Sequence, residues 1–97
     1  MKELTEDNLK EVVSKGSKIF VQYGASWCGA CRLIKPKINA LEDDYSDVDF
    51  YYVDAEKFPE SRGLAKVENL PTFAVFNHGE VVNQAMGTNI EKIKGII

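Results

Sequence analysis

Cysteine is scarce: only Cys28 and Cys31 occur among the 97 residues. A small secreted scaffold stapled by disulfides normally carries about four or more, so stapling is excluded as the source of stability. No apolar run approaches the roughly 20 residues that cross a bilayer, so no transmembrane helix and no membrane partner are expected. A basic excess is missing too. Twelve Lys and Arg stand against fifteen Asp and Glu, a net charge of −3. That balance argues against a nucleic-acid partner, which selects for clustered positive charge. The start, Met1-Lys2-Glu3-Leu4-Thr5-Glu6-Asp7, is polar and acidic and does not read as a secretory signal peptide. There is no internal repeat, low-complexity tract or linker, and the 3 prolines and 7 glycines are scattered as punctuation. What is present is 44% hydrophobic residues in a chain of single-domain length. One domain over 1–97 with one modest core is expected.

Thr5-Glu6-Asp7 reads as a helix start, a hydroxyl N-cap followed by acids that suit the helix dipole. Leu9, Val12 and Val13 make an apolar stripe that Lys15-Gly16 ends. Lys18 to Tyr23 is a short apolar run suited to a buried strand. After Cys28, Leu33, Ile34, Ile38, Leu41 and Tyr45 recur at helical spacing, with Pro36 inside the pattern as a kink. Val48 to Val53 is a second strand, and Lys57 to Lys66 a weak helix hampered by Pro59 and Gly63. Phe73–Phe76 and Val81–Ala85 flank Asn77-His78-Gly79-Glu80 and predict an antiparallel hairpin. Asn89 caps a last helix bearing Ile90, Ile93 and Ile97 on one face. The order αβαβαββα predicts an α/β fold, a central mixed sheet with helices packed on it.

The chemistry sits in Trp27-Cys28-Gly29-Ala30-Cys31, where a strand gives way to a helix. A free thiol titrates near ~8.5, and only the thiolate is a nucleophile. The first turn of a helix offers unpaired N–H groups and partial positive charge, which stabilise a thiolate. Two intervening residues let the second sulfur reach the first within one helical turn. Cys28 is therefore expected to be exposed and nucleophilic, and Cys31 more buried and resolving. Two bland readings compete. A structural zinc site needs further ligands, and the chain offers one more soft candidate, His78, in a hairpin turn. A structural disulfide would close too short a loop to stabilise much. Leu70-Pro71-Thr72, ahead of a strand, is a candidate cis peptide against the commoner trans proline at a strand start.

Taken together these residues resemble the thioredoxin family. Trp27-Cys28-Gly29-Ala30-Cys31 is similar to its active-site pentapeptide, usually Trp-Cys-Gly-Pro-Cys. Pro36, Pro59, Leu70-Pro71-Thr72, Phe76, Gly79, Glu80 and Gly87 fall in register with family positions, from about Thr5 to Ile97. The resemblance implies a thioredoxin fold and a protein-disulfide reductase. Cys28 would form a mixed disulfide with the substrate protein, and Cys31 would resolve it. The redox centre would be the Cys28–Cys31 pair itself, with no cofactor and no metal bound, recycled by a thioredoxin reductase. Leu70, Pro71 and Thr72 would take substrate as a short added strand, with Trp27, Gly29, Ala30, Gly87 and Thr88 lining the contact surface. A monomer in the cytoplasm is the implied setting.

The chain departs from the family pattern at three positions. Ala30 replaces the usual proline, which predicts a less reducing potential. Gln22 stands where the family has a buried aspartate that helps deprotonate the resolving cysteine, and an amide is no base. Tyr52 stands where many members carry the lysine that pairs with that aspartate. A neutral Gln22–Tyr52 pair could hydrogen-bond instead, and two consequences compete: a domain stabilised by the loss of a buried charge with its function unharmed, or, as favoured here, an active chain with a slower resolving step. Two other readings keep the same fold: an oxidase or isomerase relative, and a binding subunit of a larger complex whose cysteines are incidental.

Overall fold

A computed structural model describes all residues, Met1–Ile97. The chain runs β1 (Lys2–Glu3), α1 (Leu9–Lys15), β2 (Lys18–Gly24), α2 (Gly29–Glu42), β3 (Asp49–Asp54), α3 (Pro59–Arg62), β4 (Thr72–Asn77), β5 (Glu80–Met86) and α4 (Ile90–Lys94). The strands form a 5-stranded sheet in the order β1-β3-β2-β4-β5. β3 runs parallel to both β1 and β2, while β4 is antiparallel to β2 and β5 to β4. This is the mixed α/β sheet expected, with one strand more. No helix is long and apolar enough to cross a membrane.

Period-2 alternation along the central strands builds two cores on opposite faces. Ile19, Val21 and Tyr23 of β2 meet Leu9 and Val13 of α1 on one face. Phe20 meets Phe50, Phe73, Ile34, Ile38, Leu41 and Ile93 on the other. α2 and α4 thus cover the face that carries Gln22 and Tyr52, which are register partners across β2 and β3. α2 continues through Pro36. Leu33 does not join the core stripe that its spacing suggested. It is 79% exposed on the outer side of α2, while Ile34 next to it is buried.

The N-terminal region departs most from expectation. Lys2 and Glu3 pair with Tyr51 and Tyr52 as a short edge strand that composition did not announce. α1 begins at Leu9 behind Asn8, so Thr5 is not its cap. Asp7 serves a different helix. Its carboxylate accepts hydrogen bonds from Glu60 N (3.1 Å) and Ser61 N (2.7 Å), the first turn of α3. Lost solvation pushes the Asp7 pKa up, but the Ser61 side chain and the two backbone N–H groups outweigh it and hold the carboxyl below its ordinary value. Pro59 starts α3 rather than hampering it, because a missing N–H costs nothing at the first helical position. Ser61 ties the layer together, accepting from Leu9 N at Oγ (3.1 Å) and from the Tyr23 hydroxyl at its carbonyl (2.9 Å). Burial pushes the Tyr23 hydroxyl well above the usual tyrosine pKa, so it stays a donor.

The β4–β5 hairpin turns on His78 (φ 52°) and Gly79 (φ 86°) between paired Asn77 and Glu80. Positive φ at both central residues matches the twist of the flanking strands. His78 is exposed there.

Candidate active site

β2 ends at Gly24, and Ala25-Ser26-Trp27 turns the chain into α2. Packing is close at Gly24: a Cβ there would lie 2.6 Å from the Tyr52 hydroxyl oxygen, so the Tyr52 ring would have to shift. Cys28 is the N-cap of α2, and its Sγ accepts from Cys31 N at 3.2 Å. The two cysteines form a disulfide with Cα atoms 5.3 Å apart. The sulfur therefore occupies the place of a capping oxygen, facing the unpaired N–H groups of a helix that runs for 14 residues.

Exposure refines the sequence reading. Cys31 is 1% exposed as expected, but Cys28 is only 6% exposed. Their order is as predicted, and the open exposure of Cys28 is not. In the oxidised pair its sulfur is bonded to Cys31 and packed with Ala25 and Leu70. The exposed group is Trp27, at 63%. Its indole Nε1 donates to Glu56 Oε1 at 2.7 Å, which fixes the ring beside the disulfide. Glu56 was not singled out from the sequence, and no spacing pattern links it to Trp27. Arg32 braces the same turn, donating from Nη1 to Ser26 O at 2.6 Å.

The remaining candidate residues converge from distant segments. Leu70 packs on the disulfide cluster, and the Leu70–Pro71 peptide is cis. Thr72 turns its hydroxyl back to Asn69 O, so its side chain is buried and does not face outward. Gly87 N donates to Pro71 O at 3.0 Å, setting Gly87 (φ 94°) beside the proline. Thr88 and Ala30 line one shallow hollow of about 290 Å³ with Leu33, Ile34 and Lys37. Gly29 is exposed in the first turn of α2.

Gln22 and Tyr52 do not bond to each other. Gln22 is fully buried and donates from Nε2 to Cys31 O at 3.2 Å, while its Oε1 has no partner. The Tyr52 ring lies against Gly24 instead, with Lys35 Nζ 4.2 Å from its centroid. The longer amide reaches the α2 backbone, and the tyrosine fills the space that glycine leaves over β2. Burial pushes the Tyr52 hydroxyl pKa up, and the negative charges of Asp54 and Glu3 add to it. No group of three or more His, Cys, Asp and Glu side chains is placed to hold a metal.

Comparison with known proteins decides the family. The family model described as Thioredoxin matches residues 1–97. The chain belongs to the thioredoxin family. Thioredoxin of Equus caballus is 36% identical over 85 residues, covering 87% of this chain and 81% of that protein. Thioredoxin H2 of Arabidopsis thaliana is 30% identical over 87 residues, covering 90% of this chain, and the chain spans 65% of its length. A solved structure of Plasmodium falciparum thioredoxin superposes with a TM-score of 0.90 at 26% identity, over 98% of this chain and 94% of that one. With the paired cysteines in place, the chain is a thioredoxin-type protein-disulfide oxidoreductase. Thioredoxins work through their own cysteine pair without an external cofactor.

Proposed function

We propose that the chain reduces disulfides in protein substrates, with Cys28 as attacking thiolate and Cys31 as resolving thiol. The observation that carries this reading is the Cys28 sulfur at the N-cap of α2, hydrogen-bonded to Cys31 N and more accessible than Cys31. The helix N-terminus favours the thiolate of the first cysteine and leaves the second as the reserve. Substrate lies along Leu70, Pro71 and Thr72 as a short strand. Leu70 serves through its backbone groups, Thr72 supports the segment from inside the sheet, paired with Tyr23 and Met86, and Trp27, Gly29, Ala30, Gly87 and Thr88 border it. A contact surface of this kind reads backbone more than side chains, which suits flexible substrates. The oxidised pair returns to the dithiol through a thioredoxin reductase. The protein works as a monomer in a reducing compartment such as the cytoplasm, where dithiols persist.

Ala30 leaves the loop between the cysteines less rigid than proline would, and the potential lies above the thioredoxin reference of about −270 mV. Equilibrating the chain with a reference dithiol tests both points. A reversible two-electron couple above that reference is expected. A pair that fails to exchange overturns the function, and a potential at or below the reference overturns the role given to Ala30.

A further inference from the structure

Resolution of a mixed disulfide requires Cys31 to lose its proton, because the thiolate and not the thiol attacks sulfur. Cys31 is 1% exposed, so the proton needs a route. Gln22, a fully buried polar side chain, is bonded to Cys31 O and can accept a hydrogen bond but not a proton. One cavity borders Cys31, of about 310 Å³. It has room for several waters at about 30 Å³ each. The titratable groups that share it are Glu3 from β1, Arg32 and Lys35 from α2, Tyr52 and Asp54 from β3, and Lys57 beyond β3.

Only the two carboxylates among these are bases. Glu3 is 66% exposed on an edge strand and faces Lys35 Nζ at 3.8 Å. Asp54 is half-buried and fixed: its Oδ1 accepts from Glu56 N (2.9 Å) and Lys57 N (3.0 Å), leaving Oδ2 unengaged by the protein. The raised pKa of Tyr52 keeps its hydroxyl a donor, so it is not a competing base. The cations Arg32, Lys35 and Lys57 around the same space favour the thiolate once the proton has gone.

Resting on the roles given above to Cys28 and Cys31, we propose that Asp54 Oδ2 takes the Cys31 proton through water in this cavity. The Cys31 thiolate then attacks Cys28 Sγ. The Cys28–Cys31 bond forms as the bond from Cys28 to the substrate sulfur breaks. The electron pair leaves on the substrate thiolate, and the proton held by Asp54 returns through solvent to that product. Asp54 thus acts as a positioning residue through water, in a chain whose position 22 carries no base.

The test mixes the dithiol form of the whole chain with the oxidised dimer of a short cysteine peptide. Release of peptide thiol is followed by rapid quench. The first equivalent reports attack by Cys28, and the second reports attack by Cys31. Asp54→Asn keeps the side-chain oxygen that holds the Glu56 and Lys57 N–H groups. It is expected to leave the first release within about twofold and to slow the second on the order of 10- to 100-fold at neutral pH, the lower end of general-base effects. The slowed step is also expected to steepen with pH, toward roughly tenfold per unit below the ordinary thiol pKa of about 8.5, while the unsubstituted chain stays flatter. An unchanged second release, or one slowed by the same factor at every pH, would overturn the proposal. A missing first release in the unsubstituted chain would overturn the underlying roles, and the proposal with them.

Discussion

Cys28→Ser is expected to bring the reduction of a protein disulfide by dithiothreitol down to the rate of the reagent alone, whereas the unsubstituted chain accelerates it. The hydroxyl is nearly isosteric and can still cap α2, so the fold is retained. What disappears is the nucleophile. A serine hydroxyl without an adjacent base does not ionise near neutral pH, and the helix terminus that stabilises a thiolate cannot make up the difference. Cys31 cannot take over, because it is 1% exposed and lies behind Cys28. Precipitation of reduced chains of a two-chain disulfide protein, followed by turbidity, reads the difference directly. Full retention of the acceleration by Cys28→Ser would remove this cysteine from the chemistry and favour a binding role for the domain.

The second large effect is on stability. Phe20 is fully buried at the centre of the sheet face beneath α2 and α4. Its ring centroid lies 4.7 Å from that of Phe50 and 5.6 Å from that of Phe73, so one side chain joins three adjacent strands. Phe20→Ala removes that junction and leaves a cavity that a sheet backbone cannot close. Such substitutions cost about 3–5 kcal/mol, against a total of roughly 5–15 kcal/mol for a small domain. At about 4–8 °C per kcal/mol, a fall in Tm of roughly 12–40 °C is expected. The measurement is denaturant and thermal unfolding of the disulfide form, which holds the redox state fixed. A loss below about 1 kcal/mol would mean that the aromatic cluster is not the centre of this core. The site would suffer with the fold, since Ile34 and Ile38 of α2 pack on the same cluster.

The active-site segment was legible because its signals are local. A strand pattern, a turn, a C-x-x-C and a helical stripe follow one another from Lys18 to Leu41, and each needs only its neighbours to be read. The hairpin was legible for the same reason, since His78-Gly79 supplies the positive φ its turn requires. What could not be read depends on residues far apart in sequence. Lys2 and Glu3 are charged and exposed, and they become a strand only because β3 offers an edge. Asp7 looks like a first-turn acid of the helix that follows it, yet its carboxylate caps a helix more than fifty residues on. Gln22 and Tyr52 are register partners across β2 and β3. Their side chains nevertheless diverge, one to the α2 backbone and one over Gly24, because length and shape decided what charge could not. The Trp27–Glu56 bond and the cavity that joins Cys31 to Asp54 are equally non-local.

Reduction through Cys28 passes through a mixed disulfide carried on that residue, and trapping it tests the assigned roles most directly. Cys31→Ser removes the resolving thiol and leaves the attacking one. Exposed to a peptide disulfide and analysed by mass spectrometry after proteolysis, this variant is expected to carry one peptide, attached at Cys28, that dithiothreitol releases. A variant that stays unmodified while the unsubstituted chain oxidises would contradict the order of attack assigned to the two cysteines.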